Sequence, residues 1–156
     1  MITNGMMSSN TDLWSTPEDL FNELNDEYHF DLDVCADETN HKCARYYTEK
    51  QDGLSQKWDG TVWCNPPHGR KIAGWIKRCY EYGTTGGIAV MLIPSRTDTK
   101  WWHSYVMKAS EIQFIKGRLK FGNSKNCAPF PSAIVIFSKS NSTAVHVCTR
   151  EHRSNT

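Results

Sequence analysis

Apolar side chains recur along this chain with two different periods, and the way those periods alternate predicts an α/β protein. Ser15-Thr16-Pro17-Glu18-Asp19 reads as a helix start, with Thr16 suited to the N-cap, Pro17 to the first helical position and two acids to the first turn. Leu20, Phe21, Leu24 and Tyr28 then mark one apolar face, so the helix is placed over residues 17–26. Residues 30–36 alternate apolar and acidic side chains as a strand does, residues 45–48 form a short aromatic strand, and residues 61–64 a third. Ile72, Ala73, Trp75, Ile76, Cys79 and Tyr80 return to helical spacing, with Lys71, Lys77 and Arg78 elsewhere on the circumference.

The apolar run over residues 87–93, stopped by Pro94, is the clearest buried strand. A helix over residues 99–109 follows, with Trp101, Trp102, Tyr105 and Val106 inward. Residues 111–115 form another strand, which the alternating basic and apolar residues 116–121 extend. Residues 132–137 pair back on it as a hairpin, and residues 143–148 make a frayed edge strand. Strands alternating with helices and then a hairpin predict a three-layer, mostly parallel, doubly wound sheet ending in an antiparallel hairpin. Such sheets bind ligands outside the carboxyl ends of their strands, where Asp33, Asn65 and Pro94-Ser95-Arg96 are expected to line one crevice.

The tetrapeptide Asn65-Pro66-Pro67-His68 follows the strand over residues 61–64 directly. Consecutive prolines have fixed φ and no N–H, so the loop is stiff and can neither continue a ladder nor enter a helix interior. It offers the Asn65 side-chain oxygen and the Pro66 carbonyl as acceptors beside the planar ring of His68. Two acceptors and a stacking plane suit an exocyclic amine on a flat ring, although many Asn-Pro-Pro sequences do no more than end a strand.

The 156 residues suit one domain, placed over 13–148 between a polar leader, 1–12, and a short tail, 149–156. Hydrophobic content of 38% and charged content of 22% are ordinary for a soluble chain, and no stretch approaches the roughly 18 apolar residues of a membrane span. The start lacks the basic and apolar segments of a secretory signal, which places the protein in the cytoplasm. Six cysteines without Cys-x-x-Cys spacing read as reduced thiols, and His41 with Cys35 and Cys43 fits no usual zinc pattern, so no metal is expected.

Charge is divided unevenly. Residues 1–60 hold 13 of the 17 acids and 4 of the 18 Lys and Arg, whereas residues 61–156 hold 4 acids and 14 bases. A basic half suggests nucleic-acid contact, and two opposite halves also attract one another within a fold.

In order along the chain, Ser15-Thr16-Pro17-Glu18, Leu32-Asp33-Val34-Cys35-Ala36, Asp52-Gly53-Leu54, Asn65-Pro66-Pro67-His68-Gly69-Arg70, Pro94-Ser95-Arg96-Thr97-Asp98-Thr99, Gly117-Arg118-Leu119-Lys120-Phe121 and Ala128-Pro129-Phe130-Pro131-Ser132-Ala133 resemble the phage-type DNA N6-adenine methyltransferases, within the class I S-adenosylmethionine-dependent fold. The resemblance covers roughly residues 14 to 137. It implies a phage or prophage enzyme that methylates the N6 amine of adenine in double-stranded DNA in the host cytoplasm, with S-adenosylmethionine as cofactor. Asn65, Pro66, Pro67 and His68 would form its catalytic loop.

The resemblance further implies that Thr16 and Pro17 lie near the methionine moiety, that Asp33, Cys35 and Ala36 form the first cofactor loop, and that Asp52, Gly53 and Leu54, with Asn65, complete the cofactor site. A cap on the next turn is the alternative for Asp33, and a surface turn the alternative for Asp52-Gly53. Two departures from the family pattern stand out: His68 replaces the usual Tyr or Phe, and the first cofactor loop lacks Gly-x-Gly. Arg70, Lys71, Arg96, Lys116, Arg118, Lys120 and Lys125 flank the crevice or the hairpin and are the candidate DNA contacts. Trp101 and Trp102 fit core packing better than a DNA wedge. Similar loops also serve cytosine N4, RNA adenine and protein glutamine, and a non-catalytic nucleic-acid-binding relative is the rival of another class.

Overall fold

The computed structural model describes residues 15–121 and 127–148. The leader, the tail and Lys125 lie outside the described residues. Seven strands form one sheet in the order β2-β1-β3-β4-β6-β5-β7. They are β1 (Leu32–Ala36), β2 (Tyr46–Thr48), β3 (Thr61–Cys64), β4 (Ile88–Pro94), β5 (Glu111–Phe114), β6 (Ser132–Phe137) and β7 (Ala144–Val147). Among the described residues three α-helices accompany them: α1 (Glu18–Tyr28), α2 (Ile72–Thr84) and α3 (Lys100–Ser104).

β1, β2, β3 and β4 are mutually parallel, and β6 runs antiparallel to both of its neighbours, β4 and β5. The antiparallel pair is therefore built into the sheet, because β6 returns between β4 and β5, and β7 extends the edge in parallel with β5. All four residues of β7 are exposed, as an edge strand permits.

Each strand divides its side chains between two cores because successive residues point to opposite faces. From β4, Ala89, Met91 and Ile93 face one core, where Trp58, Trp75, Ile76 and Trp102 pack, while Val90 and Leu92 face the other, with Leu20, Phe21, Leu24, Leu119 and Phe130. Thus α2 and α3 cover one face, and α1 with the segment after β5 covers the other. Trp102 is buried and stacks on Phe114, with Trp101 half-buried beside it, so both tryptophans belong to the packing. No helix among the described residues is long and apolar enough to cross a membrane.

Four local expectations change. Helix α1 begins at Glu18, with Pro17 in the N-cap position at φ −56° and ψ 134°, so Thr16 does not cap it. Pro94 lies within β4, paired with Ser132, rather than stopping the strand. The helix expected over 99–109 is divided, because Tyr105 leaves helical geometry (φ −127°) and a 3-10 turn, Val106–Lys108, completes the segment. Residues 116–121 do not extend β5, since Gly117 takes the left-handed region (φ 79°) and turns the chain.

Candidate functional site

β3 sits between β1 and β4 and delivers Asn65 to the carboxyl edge of the parallel strands. Pro66 is buried and Pro67 exposed, and Gly69, at φ 92°, bends the chain so that α2 begins at Ile72. The Asn65 carboxamide is tied across 49 positions of sequence, with Nδ2 donating to the Thr16 hydroxyl at 3.0 Å. Two segments far apart in sequence are thereby joined by one direct bond.

His68 stands edge-on to Phe130, with ring centroids 5.1 Å apart and planes at 72°. The Arg96 guanidinium lies 5.8 Å from the same Phe130 ring. Burial, helped by the charge on Arg96, pushes the His68 imidazole down from 6.5 to about 4. The ring is therefore neutral throughout the physiological range, in contrast to the behaviour of an exposed histidine. Phe130 was not picked out as a site residue from sequence, although its setting between Pro129 and Pro131 marks it as held rigidly.

Asp33, the second residue of β1, is buried, and its oxygens accept from the backbone N–H of Cys35 at 3.2 Å and of Lys42 at 2.9 Å. This is the loop-anchoring geometry weighed against a cofactor contact, and it folds residues 37–42 back over the strand end. Burial raises the Asp33 carboxyl from 3.8 to about 6, against the opposing pull of those two amides and of Lys42 and His41. The same loop meets the start of α1 through Asn40 Nδ2 donating to Ser15 Oγ at 2.6 Å and through a Lys42–Glu18 ion pair. His41 stacks on Tyr46 at 3.9 Å and 6°.

Asp52-Gly53-Leu54 packs directly onto β1. A Cβ placed on Gly53 would stand 2.1 Å from the Val34 carbonyl oxygen, and the Gly53 carbonyl accepts from the Trp58 indole N–H at 2.8 Å. The segment thus adjoins Cys35 and Ala36, with Asp52 exposed and in the left-handed region (φ 53°). Burial raises the thiols of Cys35, Cys43 and Cys64, which makes them packing groups and not nucleophiles. At the same sheet edge the buried hydroxyls of Ser95 and Ser132 meet no protein partner among the described residues.

The basic candidates occupy three places. Arg70 and Lys71 are exposed just ahead of α2, and Arg96 is exposed after β4. Lys116, Arg118 and Lys120 lie on the turn after β5, which is pinned by Ala128 N–H donating to the Leu119 carbonyl at 2.7 Å.

Asp33 and His68 make opposite contributions to pH stability. The raised carboxyl favours the folded state fully below 3.8 and loses that contribution as pH rises through about 6. The depressed imidazole contributes fully above 6.5 and loses it as pH falls through about 4. Their slopes oppose one another between about pH 4 and 6. Relative to the parent chain, Asp33→Asn is expected to lose stability on acidification across that window and His68→Tyr to gain it. Melting temperatures recorded across the window check both directions, and parallel curves for all three proteins would refute the assignment.

A mostly parallel seven-stranded sheet with one reversed inner strand carries a proline-stiffened asparagine loop at its carboxyl edge. The chain belongs to the DNA N-6-adenine-methyltransferase (Dam) family, whose model matches residues 4–154. It is 31% identical over 129 residues to the DNA N-6-adenine-methyltransferase of Haemophilus phage HP1, covering 80% of this chain and 75% of that protein. It is 32% identical over 111 residues to the protein of the same description from Escherichia phage T1, covering 69% of this chain and 46% of that one, so it spans about half the length of the T1 relative. A solved structure from Listeria monocytogenes assigned to the class I S-adenosylmethionine-dependent methyltransferases aligns with a TM-score of 0.49 at 14% identity, covering 84% of this chain and 54% of that one.

Proposed function

We propose that this protein methylates the N6 amino group of adenine in DNA, with S-adenosylmethionine as methyl donor. The observation that carries the reading is the position of Asn65-Pro66-Pro67-His68, in a chain of this family, at the carboxyl end of a strand flanked on both sides. The cofactor, when bound, supplies an electrophilic sulfonium methyl group. The crevice suits it: Asp52 offers an exposed carboxylate, Cys35 and Ala36 keep the wall low, and the buried Ser95 and Ser132 hydroxyls have hydrogen-bonding capacity that the described protein does not use.

The target amine lies inside the duplex stack, so the base enters the crevice flipped out, at a cost of a few kcal/mol. Asn65 Oδ1 and the Pro66 carbonyl accept the two N6 hydrogens and aim the nitrogen lone pair. The prolines keep those acceptors from relaxing, so catalysis rests on orientation and fixed dipoles. The neutral His68 ring, steadied by Phe130, provides the stacking plane. Arg70, Lys71, Arg96, Lys116, Arg118 and Lys120 bind phosphate oxygens, which makes DNA affinity fall as salt rises.

Incubation with methyl-labelled S-adenosylmethionine and, in parallel, duplex DNA, RNA or protein, followed by nucleoside and amino-acid analysis, tests the reading. Label in N6-methyladenine is expected. Label confined to N4-methylcytosine, RNA or protein glutamine would refute it, as would DNA binding without any cofactor binding by calorimetry. His68→Tyr is expected to keep or raise the transfer rate, because its role is to supply a plane. A large loss in that variant would assign a specific chemical task to the imidazole.

A further inference from the structure

We propose that Thr16 is a positioning residue for methyl transfer, its hydroxyl holding the Asn65 carboxamide in the orientation that turns Oδ1 toward the target amine. The inference rests on the reading of Asn65 given above. In sequence, Thr16 precedes Pro17 and two acids and has the form of a helix cap. In the fold the N-cap position falls on Pro17, without a side-chain cap bond, and the Thr16 hydroxyl accepts from Asn65 Nδ2 at 3.0 Å. Thr16 is only 4% exposed, so water does not compete freely for that bond.

Both partners precede a proline, Thr16 before Pro17 and Asn65 before Pro66. A residue before proline is confined to extended backbone, so neither end of the bond is free to swing away. The terminal torsion of an asparagine is broad and roughly two-fold, so its own covalent structure does not select which branch faces the crevice. Turned over, the carboxamide would set its N–H donors against an amine that also donates. Holding the amide plane at Nδ2 fixes Oδ1, which is buried, on the opposite branch of the carboxamide.

Positioning and cofactor contact give different kinetics. A residue touching the methionine moiety would affect S-adenosylmethionine affinity, whereas one that orients Asn65 affects the transfer step. Thr16→Val, which replaces the hydroxyl by a methyl, is expected to lower kcat on the order of tenfold, the worth of about one hydrogen bond, and to leave the cofactor Kd from calorimetry essentially unchanged. Thr16→Ser, which keeps the hydroxyl, is expected to restore kcat. Without cofactor or DNA, the Asn65 side-chain amide protons, assigned in NMR spectra by their loss in Asn65→Ala, are expected to exchange with solvent faster in Thr16→Val than in the parent or Thr16→Ser. Thr16→Ala is measured alongside, and rates are normalised to the folded fraction from circular dichroism.

A raised cofactor Kd at constant kcat, failure of Thr16→Ser to restore kcat, or unaltered amide exchange in Thr16→Val would overturn the proposal. Full activity in Asn65→Ala would remove the reading of Asn65 itself. Full activity in Thr16→Val beside an inactive Asn65→Ala would remove only the positioning role.

Discussion

Asn65→Ala is expected to reduce methyl transfer by at least on the order of 10²- to 10³-fold, the scale set by loss of one preorganised polar contact at a reacting centre. The substitution deletes the side-chain acceptor and leaves Pro66 with a single carbonyl to orient an amine that has two hydrogens. It does not disturb β3, whose buried residues Val62, Trp63 and Cys64 all precede the loop. The other loss is the bond to Thr16, worth about 1 kcal/mol. A fall in melting temperature of about 2–4 °C follows from that loss in a chain of this size. Single-turnover transfer with labelled cofactor measures the rate, and calorimetry establishes that the variant still binds S-adenosylmethionine. Unchanged turnover would mean that the loop only terminates a strand.

Gly53→Ala is expected to be the most damaging single methyl group in the proposed cofactor region. The added Cβ would lie 2.1 Å from the Val34 carbonyl oxygen and 3.1 Å from Trp75 Cη2. The first neighbour is backbone in β1, which is held by β2 on one side and β3 on the other, so it cannot retreat. The segment carrying Gly53 must move instead, against the Trp58 indole bond to its carbonyl. Overpacking of this kind costs typically about 1–3 kcal/mol. The displacement also carries Asp52 and Leu54 away from Cys35 and Ala36, so S-adenosylmethionine affinity falls together with stability. Thermal melting and calorimetry on the same sample check both effects. A melting temperature and Kd equal to the parent's would place this segment outside the cofactor site and show that the contact is softer than the geometry implies.

Local pattern carried much of the fold. The alternation over residues 30–36 and the solid apolar run ending at Pro94 each became a parallel strand, because burial on one or two faces writes itself into consecutive residues. The choice of neighbour is a different kind of information. Nothing near residues 132–137 states that they lie between β4 and β5, since both sides of that strand are equally apolar. The end of β5 is hidden for a related reason: alternation continues through residues 116–121, and Gly117 breaks the backbone without breaking the pattern.

At the site, residue types were legible and partnerships were not. Asp33 is an acid near a strand end whether it serves a ligand or a loop, and only the positions of the Cys35 and Lys42 amides assign it to the loop. Thr16 has the form of a cap, but its hydroxyl went to a residue 49 positions away. His68 gave no sign in sequence of its depressed imidazole, which depends on burial and on Arg96.

The placement of β6 also affects how the molecule is made. As the chain emerges during synthesis, β1, β2, β3 and β4 can assemble in turn, but the far side of β4 has no partner until residues 132–137 have appeared. Until then an apolar strand edge stands open in the nascent protein, and closing it requires contacts distant in sequence, the slow kind to form. Phe130, which steadies His68, comes from the same late segment. On the reading proposed above, catalytic competence is acquired late in translation, and a ribosome stalled before residue 130 holds the asparagine loop in an unfinished sheet.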